Sequence, residues 1–174
     1  MEAALRREKM KQKIMSTPQP ITGSELAKVF DVSRQVIVQD IAILRASGAP
    51  ILATAQGYMV PGIPLHKSVD RIFACKHITM ETLRDELTTI VDLGGRVMDV
   101  VVEHPVYGEF RSLLMLSSLS SVRGFIERLE KQGAEPLSSL TGGVHLHTVE
   151  ADCNAVLDEI EKALSEKGIL MKGM

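Results

Sequence analysis

Apolar residues recur along this chain with two periods, and the switches between them mark the elements. Over residues 3–15, Leu5, Met10, Ile14 and Met15 stand among Arg6, Arg7, Lys9, Lys11 and Lys13, which predicts an amphipathic helix with a basic face. Ser16-Thr17-Pro18-Gln19-Pro20 ends it. Thr22-Gly23-Ser24-Glu25 has the spacing of a capping box, in which Thr22 accepts from a free amide and Glu25 reaches back. Asp31-Val32-Ser33 then makes a turn. Ser33 caps a further helix, Arg34 to Arg45, closed at Gly48. Within it Ile37, Ile41 and Leu44 fall on one inward face. Ile51-Leu52-Ala53-Thr54 and Gly57-Tyr58-Met59-Val60 are β-prone runs around Gln56-Gly57, which reads as a hairpin.

Pro61-Gly62-Ile63-Pro64 separates this region from a second patterned one, so the expected domains are residues 1–61 and 66–174. A strand is predicted within 66–76 and a helix from Thr79 to Leu93, with Leu83, Leu87, Ile90 and Val91 on one face. Arg96 to His104 is dense in β-branched residues and is the strongest strand signal. After a turn at Pro105-Val106-Tyr107-Gly108, residues 110–115 return as a strand. A helix from Ser120 to Lys131 turns Phe125, Ile126 and Leu129 inward and stops at Gly133. Gly142-Gly143 leads into the alternating run Val144-His145-Leu146-His147-Thr148. A last amphipathic helix is expected over 150–167, and a terminal strand over 169–171. The alternation predicts an α+β sandwich with a mostly antiparallel sheet.

Charge divides the chain at the same place. Residues 1–61 hold eight Lys/Arg against five Asp/Glu, and the remainder twelve against seventeen, beneath a net charge of −2. A basic module on an acidic partner suits anion binding by the first. Cys75 and Cys153 lack metal-ligand spacing and read as buried or incidental thiols of a reducing cytoplasm. No apolar run reaches the length of a membrane-spanning helix, and no secretory leader is visible, so a cytoplasmic protein is expected.

Two helices joined by a short turn, the second capped by Ser33, have the layout of a helix-turn-helix, and the hairpin stands where a wing would. The string DVSRQVIVQDIAILRASGAPILATAQGYMV resembles the winged helix of the biotin-repressor type. In such modules the start of the second helix enters the major groove. Ser33, Arg34, Gln35, Val38 and Gln39 are therefore the candidate DNA-binding residues. Arg can read guanine, Gln can read adenine, and Val can meet a thymine methyl. Solvated side chains, or an Arg34 that grips only phosphate, are the plain alternatives.

In the second module, side chains two apart on a strand share a face about 7 Å apart, so His145 and His147 can converge on one metal ion. Lys76-His77, GGRVMDVVVEHPVYGEFR and LTGGVHLHTVEA together resemble the 3H domain, over residues 67–172. With the winged helix, the chain is similar to the niacin-responsive transcriptional repressors of bacteria. That resemblance implies a metal site of His77, Glu86, His145 and His147, with Asp85 as the alternative to Glu86. Three imidazoles and a carboxylate suit Ni or Zn. It also implies nicotinic acid as co-repressor and a homodimer on operator DNA. His104, beside Pro105, either steadies the turn or lines the effector pocket, and Tyr107 and Arg111 are further effector candidates. No catalytic residues are expected. A metal hydrolase with a winged-helix regulatory domain is the rival class, and a repressor switched by the metal itself is another.

Overall fold

The computed structural model describes residues 2–61 and 68–171. Two compact units divide the chain, with the boundary between Pro64 and Leu65. The Pro/Gly linker after Pro61, and His66, lie outside the described residues.

The first unit is three helices and a hairpin: α1 (Ala3–Ser16), α2 (Gly23–Phe30), α3 (Arg34–Ala46), β1 (Leu52–Thr54) and β2 (Gly57–Met59). The capping box forms as the spacing predicts. The Thr22 hydroxyl accepts from Glu25 N at 3.1 Å, and Thr22 N donates to the Glu25 carboxylate at 2.8 Å. Asp31 ends α2 in the left-handed region (φ 51°), a conformation that Asp tolerates better than most residues. Two residues later Ser33 caps α3 by accepting from Val36 N. The core joins Met10 and Ile14 of α1 to Leu26 and Phe30 of α2 and to Ile37, Ile41 and Leu44 of α3.

The expected basic face of α1 is only partly free. Arg6 and Arg7 turn to the buried Asp40 of α3, at 2.6 and 3.4 Å. Leu5 and Met15 are about half exposed. At about 100° per residue, Met10 and Ile14 share a face, whereas Leu5 and Met15 diverge from it.

The wing is a two-stranded antiparallel hairpin with Leu52 opposite Met59. Ile21, just ahead of α2, adds a bridge to it: Ile21 N donates to Tyr58 O, and Tyr58 N to Ile21 O, at 2.9 and 2.8 Å. Gly57 permits this approach. Its φ is +130°, and a Cβ there would stand 2.5 Å from Ile21 O.

The second unit is β3 (Val69–Lys76), α4 (Met80–Asp92), β4 (Arg96–His104), β5 (Gly108–Leu116), α5 (Leu119–Gln132), a 3-10 helix (Leu137–Thr141), β6 (Val144–Ala151) and α6 (Asn154–Glu166). Its sheet has the order β3-β6-β4-β5, and every pairing is antiparallel. The helices α4 and α6 pack on one face, and α5 lies beside α4. On β6 the alternation is plain: His145, His147, Val149 and Ala151 are buried, while Val144 and Leu146 emerge on the other face.

Three boundaries differ from the sequence reading. Glu150 belongs to β6, not to the last helix. It pairs across the sheet with Arg96, which receives it at 3.5 Å, so an acidic residue on the open face imitated a helical first turn. The helix α5 begins at Leu119 because Ser118, not a later serine, accepts from Ser121 N. The expected terminal strand is a single bridge between Leu170 and Cys75, and the 3-10 helix was not anticipated.

Gly57→Ala should destabilise the first unit by about 1–3 kcal/mol, the cost of a strained backbone conformation. Urea denaturation followed by circular dichroism checks this, and a neutral substitution would remove the Ile21–Tyr58 bridge from the account.

Candidate functional site

In the second unit, the sheet and α4 bring four buried polar side chains together. His77 follows β3 directly, and its backbone N–H donates to Gly143 O just ahead of β6. Thr79 then caps α4, so Glu86 arrives on the second turn of the helix, facing the sheet with Leu83, Leu87 and Ile90. His145 and His147 come from β6. All four are at most 6% exposed, and Glu86 is wholly buried. Asp85 is not part of this group: it is exposed and paired with Lys167 at 2.7 Å.

One oxygen organises the cluster. Glu86 Oε2 lies 2.6 Å from His77 Nε2, 3.3 Å from His145 Nε2 and 3.7 Å from His147 Nε2. The two strand imidazoles are oriented from behind. His145 Nδ1 donates to Gly143 O at 2.8 Å, and His147 Nδ1 donates to Asp99 O at 2.6 Å. In the neutral rings each Nε2 is then a lone pair, aimed at a carboxylate that only accepts. Ring centroids of His145 and His147 are 4.8 Å apart and nearly perpendicular, closer than their backbone spacing because the rings lean together. Glu86 Oε1 and His147 Nε2 have no hydrogen-bond partner among the described residues. Buried acceptors outnumber the protons available to them, so the group calls for a cation, either a proton or a metal ion.

The electrostatics follow. Burial alone would push the Glu86 carboxyl up, but where a proton is the cation, the charge of His147 and the hydrogen bonds of His145 and His77 outweigh it and hold it well below the usual range. Burial alone would push His147 down, yet the Glu86 charge, assisted by the Asp99 carbonyl, raises it. A donor set of three imidazole nitrogens and a carboxylate, each imidazole of β6 backed by a carbonyl, is what a borderline transition-metal ion takes.

Two residues outside the expected ligand set hold this arrangement. Asp99 sits at an irregularity in the β4 register, and it is buried. Its Oδ1 accepts from Thr148 N at 3.0 Å, and its Oδ2 takes the Arg111 guanidinium through Nε at 2.7 Å and through Nη2. Gly143, at φ +96°, is the second: a Cβ there would stand 2.2 Å from His77 O. The Gly-Gly pair was a visible signal for it, whereas nothing in the β4 pattern announces the bulge.

Beside His145 and His147 lies a cavity of about 220 Å³, walled by Leu83, Val100, Leu114, Phe125 and Leu129. The effector candidates His104, Tyr107 and Arg111 are not among its lining residues. His104 Nδ1 accepts from Val106 N and Tyr107 N, so it secures the turn, and its ring stacks near Tyr107 and Phe110. Tyr107 is 74% exposed, and Arg111 is committed to Asp99.

In the first unit, Arg34, Gln35 and Gln39 are exposed and Val38 is half-buried, while Ile37, Asp40 and Ile41 are buried behind them. With Ser33 as cap, the start of α3 presents polar donors on an open face. Among the described residues no helix is long and apolar enough to cross a membrane.

A helix-turn-helix with a wing, joined to an antiparallel sheet that buries a His/Glu cluster, defines a two-part class. The 3H domain profile matches residues 70–173 and an HTH domain profile residues 6–59; the chain belongs to the 3H-domain family, with the HTH domain in front. It is 46% identical over 154 residues to the probable transcription repressor NiaR of Thermotoga maritima, covering 88% of this chain and 86% of that protein. It is 44% identical over 171 residues to the transcription repressor NadR of Bacillus subtilis, covering 97% and 94%.

The coupled pair sets a pH dependence for the chelator-treated protein. His147, raised from its ordinary 6.5, contributes stability present below that value and lost as pH rises through its folded value. Glu86, lowered from 4.5, contributes stability present above that value and lost as pH falls through its folded value. With chelator present, thermal midpoints should therefore peak in mildly acidic buffer, and Glu86→Gln should flatten the profile. A profile unchanged by that substitution would contradict the pairing.

Proposed function

We propose that this chain is a metal-containing transcription repressor that binds operator DNA as a homodimer, with nicotinic acid as co-repressor. The observation that carries the reading is the convergence of three imidazole Nε2 atoms on Glu86 Oε2 next to an apolar cavity. Both relatives carry repressor names, which favours a regulator over an enzyme.

His77, Glu86, His145 and His147 would hold the ion, and the orphaned Glu86 Oε1 and His147 Nε2 fit that use. When bound, a Ni or Zn ion supplies a Lewis-acid centre and a cross-link between β6, the end of β3, and α4. The cavity's volume of about 220 Å³ is below the roughly 300 Å³ at which sites for drug-sized ligands begin, and its walls are mostly apolar, with Ser112, Glu135 and Ser138 as polar exceptions, which suits a single aromatic ring. The ion that His145 and His147 would hold at its edge would supply the polar end for a pyridine carboxylate. On this reading the effector lies against Phe125 and Leu129 rather than on the His104 turn.

DNA reading falls to Arg34, Gln35, Val38 and Gln39, with Ser33 as cap, and a small single reader implies a twofold dimer on a palindrome. A co-repressor must bind the DNA-competent state better than the other, and the operator must then tighten nicotinate binding by the same factor.

The test is operator affinity of the full chain at fixed salt, with metal and nicotinate titrated separately against DNA recovered by selection with this protein. Nicotinate should tighten binding by about 5–150-fold, the usual range for coupled sites, and neutral nicotinamide far less. Equal affinities with and without nicotinate would end the co-repressor reading. A response to metal alone would make the protein a metal sensor.

Arg34→Ala should cost about 1–3 kcal/mol of operator binding if Arg34 meets a guanine edge, and it should relax selectivity at that base pair. Full affinity and full discrimination in the variant would remove Arg34 from the recognition face.

A further inference from the structure

Cys75 has no role in the reading above, yet it faces the same carboxylate. It stands on β3 directly opposite His145 of β6, so the two side chains fall on the same, helix-covered face of the sheet. It is fully buried. Its Sγ, a Glu86 oxygen and a His145 nitrogen all lie within 4.8 Å of one another. Two donors on one ion, with bonds of about 2.0–2.3 Å, stand about 3–4.5 Å apart, so a small inward movement at most would let all three atoms share an ion.

A second observation points the same way. Glu86 Oε1 is buried with no hydrogen-bond partner among the described residues, so the carboxylate keeps an acceptor beyond the oxygen that the imidazoles share. The sulfur therefore stands beside an under-satisfied anion, in a pocket from which water is largely excluded.

We propose that Cys75 is a further ligand of this metal centre, bonding to the ion through sulfur. Its thiol proton passes to solvent as the metal–sulfur bond forms. The inference rests on the metal reading of the cluster. A sulfur donor changes which ion the site prefers: imidazole and carboxylate alone accept a range of divalent ions, whereas an added thiolate favours Zn, Co and Ni over Mn and Mg. The selectivity of the centre would then be set from β3, a strand whose cysteine lies outside the three histidine stretches.

Cobalt separates the possibilities, because its visible ligand-field bands report binding and a near-ultraviolet charge-transfer band reports a thiolate ligand. The chelator-treated full chain is titrated with Co²⁺ alone. The wild type and Cys153→Ser, which removes the other, exposed cysteine, should show both signals. Cys75→Ser and Cys75→Ala should keep the ligand-field bands and lose the charge-transfer band. Should the buried variants fail to fold, Cys153→Ser decides alone, since Cys75 is then the one cysteine left in the chain. Cobalt bound by the wild type without a charge-transfer band would overturn the proposal and leave Cys75 as a buried thiol beside Glu86. A band that survives Cys75→Ala would overturn it too. No cobalt bound at all would overturn the metal reading itself, and this inference with it.

Discussion

A carboxylate with no exposed surface has to be neutralised where it stands, and the second unit is arranged around that requirement at Glu86. An isolated buried charge would cost several kcal/mol, more than one hydrogen bond returns. Here the compensation is spread over three imidazoles, two on β6 and one just beyond β3, and each β6 imidazole is itself held by a backbone carbonyl. Gly143 O serves twice, accepting from the His145 ring and from the backbone of His77. The loop before β6 thus positions one strand histidine and the end of the neighbouring strand with a single atom. Asp99 does the corresponding work for His147: its carbonyl orients the ring, while its side chain ties β6 and Arg111 to the bulge in β4.

The first unit solves a smaller version of the same problem. Asp40 is buried on the inward side of α3, and two arginines of α1 cover it. The pairing fixes α1 against the recognition helix and leaves the opposite side of α3 to Arg34, Gln35 and Gln39. Two charges that would otherwise add to the basic surface are consumed internally, so the anion-binding character of this unit rests on fewer free cations than its composition suggests.

Local rules were readable wherever the physics is local. The Thr22/Glu25 box, the Ser33 cap and the His-X-His alternation each depend on residues within a few positions, and the structure places them as the spacing implies. His77 and Glu86 were not accessible that way. They meet His145 across 68 and 59 positions, and only register joins them; the family resemblance supplied them. Asp40, Asp99 and the Arg111 pairing were missed for the same reason, because a buried acid is indistinguishable from a surface acid until its partner is known. The effector candidates on the His104 turn followed from a histidine in a string that carries the family resemblance, and of the two roles open to it the structure shows the turn: it accepts from two turn amides. Glu150 misled in the opposite direction: an open sheet face tolerates the charged residues that also begin helices.

The strand order has a consequence for the newly made chain. The last strand to be synthesised occupies an interior place, between β3 on one side and the β4–β5 hairpin on the other. Until β6 leaves the ribosome, the earlier strands have no common partner, and the sheet cannot assemble outward from its first hairpin. The polar cluster is bound to the same event, since both strand histidines travel on β6. The helix-turn-helix, complete within its own first sixty or so residues, can fold much earlier. A nascent chain therefore carries a finished helix-turn-helix before the second unit exists, and one strand converts the two loose halves behind it into a single domain.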